Sequence, residues 1–281
     1  MLIRIGYEIV FDVPAPVPIL LVLSTYPDRD ASIVRPGGLR VVPEVPVEGF
    51  LDSFGNRCGR IVAPAGRVTL WDDLIVEDSG EVDEVVPGAI QHRIQDLPAD
   101  VLPYLLPSRY CEVDRLSDIA WNLFGQTPEG WARAQAICTW VHNHVTFGYQ
   151  YARSTKSAYD VYEEKRGVCR DFTHLALTFC RCMNIPARYS TGYLGDIGVP
   201  LSDSPMDFSG WFEVYLGGRW YTMDARHNTP RIGRVVMARG RDAVDVALTT
   251  SFGTSRLVKF VVWTDEVGPE ALQQPQAIKP S

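Results

Sequence analysis

The chain has 281 residues, 46% of them hydrophobic, which allows one large or two ordinary domains with a packed interior and argues against extensive disorder. The formal net charge of −7 argues against a phosphate-binding surface, so we expect no nucleic-acid partner. No leader is evident, and the apolar stretch from Val17 to Leu23 is too short to cross a bilayer, so we expect no membrane partner.

The N-terminal part of the chain predicts strands. Leu2 to Val13 alternates in part, and further strand-like runs cover 19–23, 58–63 and 68–76. Prolines and glycines separate these runs at short intervals, as in an all-β sandwich. We therefore predict a β-rich N-terminal domain over residues 1–106.

Helical spacing of apolar residues follows. It predicts helices over 114–124, 131–143 and 158–165, with Thr127 as the N-cap of the second. A fourth helix begins near Cys169 and is ended by Asn-Ile-Pro at 184–186. Its apolar residues form one stripe at spacings of three and four: Phe172, Leu175, Ala176, Phe179, Cys180 and Met183.

Cys169 stands where a loop becomes that helix. The first-turn N–H groups and the positive end of the helix dipole stabilise negative charge on sulfur there, and Arg170 adds a further positive charge. This position favours a nucleophilic thiolate. The alternative is a buried structural thiol, which is the usual environment of a cysteine.

A hairpin is predicted downstream, because two aromatic and β-branched runs flank Gly217-Gly218. If the residues beside this turn pair, side chains two apart along each strand share a face. That face would carry Ser209, Trp211, Asp224 and Arg226. A cysteine at a helix start beside a hairpin that presents a base and an acid is a layout for thiol catalysis.

Four segments carry a resemblance to a known family. They are Gly-Val-Cys-Arg-Asp-Phe (167–172), the stretch 184–193, Trp-Phe-Glu-Val-Tyr-Leu (211–216) and Asp-Ala-Arg-His-Asn (224–228). Over residues 110–255 the chain resembles the transglutaminase-like (papain-like cysteine-catalytic) core of many bacterial proteins. The first half resembles the β-rich region that precedes this core in one bacterial branch, notably at 52–57.

The resemblance implies an α+β fold, with an N-terminal β-sandwich and a transglutaminase-like core over 107–267. In that core a cysteine helix packs on an antiparallel sheet. After the core, the Pro, Gln and Ala content from Gly268 onward predicts a mobile tail over residues 268–281. The family nucleophile falls on Cys169 and the family aspartate on Asp224. The substrate would be a peptide, a protein or a small amide, with no cofactor.

Ser209 departs from the family, which usually has a histidine at this position. A serine cannot take a proton from a thiol at neutral pH, whereas an imidazole can. His227 is the best candidate for a relocated base, although strict register would put it on the wrong face unless the chain turns after Asp224. We expect a structural role for the other histidines: His92, His142, His144 and His174.

Two functions remain open. In the first, Cys169 forms a thioester, as a protease-like amide hydrolase or an acyl transferase does, and this reading is favoured. In the second, the fold is a catalytically degenerate binding or scaffold module. A weaker third option is redox sensing through Cys169. Trp211 and Tyr193 would line the site.

The six cysteines show no Cys-x-x-Cys spacing. We therefore expect free thiols, no metal site and a cytoplasmic protein. The sequence gives no indication of the oligomeric state.

Overall fold

The computed structural model describes residues 1–202 and 205–273, and the fold there is α+β, as predicted. The first strands are β1 (Leu2–Val13), β2 (Val17–Leu21), β3 (Ile33–Arg35), β4 (Arg40–Val42), β5 (Glu48–Leu51), β6 (Arg57–Ala63) and β7 (Gly66–Glu77). The elements after them are α1 (Val113–Phe124), α2 (Trp131–His144), β8 (Thr146–Phe147), α3 (Ala158–Glu164), β9 (Arg166–Gly167), α4 (Cys169–Cys182), β10 (Ala187–Tyr193), β11 (Ser209–Leu216), β12 (Arg219–Met223), β13 (Val235–Gly240), β14 (Thr249–Ser251) and β15 (Arg256–Val267).

The first three helices agree with the predicted spans to within one residue at each end. No helix in the described ranges is long and apolar enough to span a membrane. Of the predicted mobile tail, residues 274–281 lie outside the described residues.

Two antiparallel sheets contain the N-terminal strands. One has the order β15-β1-β7-β3, with β4 also paired to β7, and the other has the order β14-β2-β6-β5. Their apolar side chains meet in one buried cluster that includes Ile5, Leu21 and Ile61. Because β15 pairs with β1 along most of its length, the strand pairing crosses the predicted boundary at residue 106. The division into separate domains stays a prediction.

The third sheet has the order β12-β11-β10-β13, and α4 packs against β10 and β11. Helices α1, α2 and α3 also pack on α4, so every residue from Asp171 to Cys182 is buried. The predicted apolar stripe is therefore only part of the buried surface. Polar residues such as Thr173 and His174 are buried too, which makes α4 a central helix rather than a surface helix.

Arg181 gives this central helix a buried positive charge. Its Nε donates to the Ala187 carbonyl at 3.0 Å, and its Nη1 donates to the Leu106 carbonyl and to Ser108 Oγ, both at 3.1 Å. Burial lowers the pKa of Arg181, so these acceptors are needed to hold the charged form. The segment before α1 is thereby fixed to the start of β10.

The predicted N-cap of α2 is wrong. Gly130 is the residue before the helix, with φ 82°, and Thr127 Oγ1 instead donates to the Phe124 carbonyl at 2.6 Å. A Cβ on Gly130 would lie 2.4 Å from the Ala89 carbonyl oxygen. Glycine is required there by both the backbone conformation and the close approach.

The turn at 52–57 is joined to the third sheet by Asn56, which is fully buried. Asn56 Nδ2 donates to Asp52 Oδ2 and to the Arg239 carbonyl, and Asn56 Oδ1 accepts from the Arg239 N–H, each at 2.8 Å. This amide therefore pairs with the backbone of β13 much as a neighbouring strand would. The contact explains structurally why a polar turn of the N-terminal part accompanies the cysteine-containing core.

We expect Asn56→Ala to lower the free energy of unfolding by about 3 kcal/mol, because it leaves the buried N–H and C=O of Arg239 unpaired. Urea denaturation monitored by circular dichroism measures this change. Asn122→Ala, at an exposed position on α1, is the control and should change the free energy by less than about 0.5 kcal/mol. Equal effects of the two substitutions would contradict the role given to Asn56.

Candidate active site

Cys169 is the first residue of α4. Asp171 Oδ2 accepts a hydrogen bond from the Val168 N–H at 3.0 Å and closes the first turn of the helix. A Cβ on Gly167 would lie 2.5 Å from the Asp171 Cβ. Gly167, two residues before the cysteine, is therefore required, because a side chain there would collide with Asp171.

Cys169 opens into a cleft of about 770 Å³. This volume is in the usual range of ligand pockets. Residues from the start of α4, from β10 and β11, from the segment 149–154 and from the loop 243–248 line the cleft. Aromatic side chains are prominent among them: Tyr110, Tyr149, Tyr189 and Phe208.

The predicted lowering of the thiol pKa does not occur. Burial raises the pKa of Cys169 above that of an ordinary cysteine, although Arg226 and backbone hydrogen bonds from Gly210 and Arg170 act in the opposite direction. The Arg170 guanidinium is engaged with Asp171 Oδ1, 3.1 Å from Nη2, so Arg226 supplies the side-chain cation. The helix start does stabilise negative charge on sulfur, but less than burial disfavours it.

Arg226 reaches the site because the chain turns sharply after β12. Asp224 Oδ1 accepts the N–H groups of Arg226 at 2.9 Å and of His227 at 3.1 Å. His142 Nδ1 lies 2.9 Å from the Arg226 carbonyl oxygen, and the Arg226 guanidinium lies 4.0 Å from the centre of the Phe147 ring. The backbone and the side chain of Arg226 are thus both held in place.

The predicted hairpin is correct at its turn, where Leu216 pairs with Arg219. The pairing of β11 with β12 ends at Met223, however, because Asp224 begins the turn just described. The regular ladder on which the predicted shared face of Ser209, Trp211, Asp224 and Arg226 depends therefore does not extend to Asp224 and Arg226.

Asp224 is a buried carboxylate with several donors. Its Oδ2 lies 2.9 Å from His227 Nδ1 and accepts from Arg234 Nη2 at 2.9 Å. Burial acts to raise the pKa of Asp224, but Arg234 and His227 outweigh it and hold the pKa far below its ordinary value. Asp224 is accordingly ionised in the folded protein at any physiological pH.

The predicted catalytic residues fall into two pairs. Ser209, the first residue of β11, lines the cleft together with Cys169. In the described part of the chain, the residues lining this cleft include neither Asp224 nor His227. Asp224 borders a separate small cavity of about 40 Å³ beside Cys138. Asp224 and His227 are therefore in contact with each other, but neither is among the described residues that line the cleft of Cys169.

Trp211 and Tyr193, which were predicted to line the site, are both 1% exposed. Trp211 lies 5.0 Å beneath the Arg234 guanidinium, and Tyr193 packs edge-on against Phe208 at 5.1 Å. Neither is among the described residues that line the cleft of Cys169. The aromatic walls come instead from the three tyrosines named above.

His174 is fully buried within α4. Its ring stacks on Tyr110 at 4.9 Å, and its Nε2 accepts from the Ala243 N–H at 3.1 Å. Burial lowers the pKa of His174 well below its ordinary value, so the imidazole is neutral. Within the described ranges, no group of three or more His, Cys, Asp or Glu could hold a metal ion.

Asp207 and Tyr149 line the cleft without having been predicted. Burial raises the pKa of Asp207, with the Phe208 N–H and Arg226 acting against it. The sequence held one indication that Asp207 belongs to the site, namely its position two residues before Ser209. Tyr149 gave none, because it follows a short strand whose parallel pairing, β8 with β9, is not visible in the local pattern.

Residues 118–225 match the family described as the transglutaminase-like superfamily. The chain is also 32% identical to a protein from Cytophaga hutchinsonii described as a “Putative Cysteine Protease”. Its crystal structure aligns with a TM-score of 0.80, over 94% of this chain and 90% of that one.

A curated relative is the Uncharacterized protein ML0607 of Mycobacterium leprae (strain TN), which is 27% identical over 150 residues. The match covers 51% of this chain and 52% of the relative, so the chain spans about half of that protein's length. Taken with the cysteine helix and its sheet, the family match and the Cytophaga structure show that this chain belongs to the transglutaminase-like superfamily, a family of cysteine-dependent proteases and acyltransferases.

Proposed function

We propose that the protein is a cysteine-dependent amide hydrolase or acyl transferase in which Cys169 attacks a carbonyl carbon and forms a thioester. The supporting observation is that Cys169 stands at a helix start and opens into a cleft large enough for a substrate. Arg226 and the backbone at Gly210 and Arg170 stabilise negative charge at the sulfur. They would favour the thiolate as it forms during attack.

We propose a peptide, a protein or a small amide as the substrate. The cleft is lined by Tyr110, Tyr149 and Tyr189 and by aliphatic side chains of the loop 243–248, which suits apolar groups beside the reacting amide. The likeness to the Cytophaga protein supports a peptide or protein substrate. Because the six cysteines are unpaired, we also propose a reducing compartment such as the cytoplasm.

Asp224 and His227 would act on the site through the turn that they form. Asp224 accepts the Arg226 N–H and thereby holds the arginine that faces the sulfur. We therefore propose Asp224 as a positioning residue and His227 as its partner. His227 is not among the described residues that line the cleft, so its imidazole would have to move into the cleft to act as the base itself.

A catalytically degenerate binding module is the second candidate. It is favoured by two specific observations, namely Ser209 in place of the usual histidine and the raised pKa of Cys169. In this case the cleft would bind a peptide without cleaving it. Turnover measurements separate the two candidates.

The pH dependence of alkylation by iodoacetamide tests the environment of Cys169. We expect the midpoint to lie above the value of about 8.5 for a free cysteine, because burial raises the pKa. Arg226→Gln should move the midpoint further up, since it removes the cation that stabilises the thiolate. Mass spectrometry of the labelled peptides reads out each thiol separately.

Arg226→Lys is the matched variant, because it keeps the positive charge and should leave the midpoint close to that of the unchanged protein. Cys111, Cys138 and Cys180 are buried and should remain unlabelled until the protein unfolds. A midpoint that falls in Arg226→Gln would contradict the electrostatic effect on the sulfur that is assigned to Arg226.

Turnover of a fluorescence-quenched peptide library tests the reaction. We expect Cys169→Ala to abolish cleavage, because the thioester cannot form. Ser209→His should raise kcat/KM, since an imidazole has a pKa nearer to neutral pH than a carboxyl or hydroxyl group ordinarily has. If the unchanged protein and Ser209→His both lack activity while peptides still bind, the degenerate binding module is the correct reading.

A further inference from the structure

A thiol of raised pKa needs a proton acceptor when it attacks. At neutral pH, Cys169 carries its proton in the resting protein, because burial raises its pKa. The proton must leave as the carbon–sulfur bond forms. No histidine is among the described residues that line the cleft, so the acceptor is a group of another kind.

The residues that line the cleft limit which group can accept the proton from Cys169. Its arginines, Arg153 and Arg170, carry guanidinium groups, which donate hydrogen bonds and have no acceptor atom. Burial raises the pKa of Tyr149 and of Tyr189, so these phenols stay protonated as well. Within the described lining, Asp207 carries the one carboxyl group, and a carboxylate can act as a general base.

Asp207 is close to the reacting group. It lines the same cleft as Cys169 and Tyr149, and it precedes Ser209 by two residues. Its charge acts on the Cys169 thiol and on the Tyr149 hydroxyl, and Arg226 acts on all three. Asp207 and Arg226 therefore act electrostatically on the Cys169 thiol from two other segments of the chain.

We propose that Asp207 is the general base and acid of the Cys169 reaction and takes the place of the histidine that Ser209 replaces. This inference rests on the proposed function, since it names the proton carrier for the same thioester chemistry.

In the first half-reaction, Asp207 takes the proton from Cys169 Sγ as sulfur bonds to the carbonyl carbon, and the C=O electron pair moves onto oxygen. When the carbonyl re-forms, the carbon–nitrogen bond breaks and Asp207 gives its proton to the departing amine. In the second, Asp207 takes a proton from water, which bonds to the thioester carbon. The carbon–sulfur bond then breaks, and the proton returns to sulfur.

The electrostatic environment fits both roles. Burial raises the pKa of Asp207, which makes the carboxylate a stronger base than an exposed aspartate. Arg226 and the Phe208 N–H act against that rise and favour the ionised form needed at the start. The charge of Arg226 acts on both the thiol and the carboxyl group and offsets the repulsion between their ionised forms.

The test uses p-nitrophenyl acetate, which transfers its acetyl group to a thiol and releases p-nitrophenolate. Peptide mapping by mass spectrometry follows the acetyl group on Cys169 after excess reagent is removed. We expect Asp207→Asn to lose this acetyl group about 100-fold more slowly than the unchanged protein, because attack by water then lacks its base. Asp207→Glu should retain part of the rate. Asp118→Asn, at an exposed position on α1, should retain all of it.

The pH midpoint of alkylation by iodoacetamide provides a second readout, because it reports the equilibrium between thiol and thiolate. The Asp207 charge raises the pKa of Cys169, so Asp207→Asn should lower this midpoint. Slower deacetylation together with a lower alkylation midpoint marks a lost base in an intact cleft. A misfolded variant would not discriminate Cys169 from the other thiols.

The outcomes are distinguishable. Equal deacetylation rates in Asp207→Asn and the unchanged protein would overturn the role of Asp207 while leaving Cys169 as the nucleophile. If Cys169 of the folded, unchanged protein is never acetylated, the proposed thioester chemistry fails, and the role of Asp207 fails with it.

Discussion

The carboxylate of Asp224 is the group on which the geometry of the cleft depends. It ends β12 by accepting two backbone N–H groups, and it pairs with Arg234, which is also bonded to Asp83. A buried ion pair of this kind is costly to break, because the remaining charge loses its partner. The turn that carries Arg226 is therefore held in place by the backbone hydrogen bonds to Asp224 and by the ion pair of Asp224 with Arg234.

Alternate residues of β11, in the third sheet, lie in two different environments. Phe212, Val214 and Leu216 belong to the apolar cluster around α4. Trp211 and Glu213 instead line a polar cavity of about 390 Å³ with several arginines. One strand therefore supports the cysteine helix on one face and a network of ion pairs on the other.

Local pattern was sufficient for the helices and for the hairpin turn, because helical spacing and Gly-Gly are short-range signals. The start of α4 at Cys169 was predicted for the same reason. The end of β12 was not predicted, because it is set by the contacts of Asp224 with the residues that follow it.

The cleft itself depends on contacts that no local pattern encodes. Asp207 and Tyr149 line the cleft from two separate segments, and Arg226 acts on the Cys169 thiol from a third. Bringing these segments together requires the packed sheet and the β8–β9 pair. The raised pKa of Cys169 has the same origin. A helix start can be recognised in a sequence, whereas the burial that opposes its dipole belongs to the folded chain.

The pairing of β1 with β15 has a consequence for how the protein is made. Asp12 and Arg256, which form an ion pair between these strands, are 244 residues apart. During synthesis, β1 leaves the ribosome long before its partner exists, and contacts of such high sequence separation form slowly. One edge of β1 therefore stays open until β15 has emerged, and the nascent chain is exposed to unwanted strand pairing over that interval.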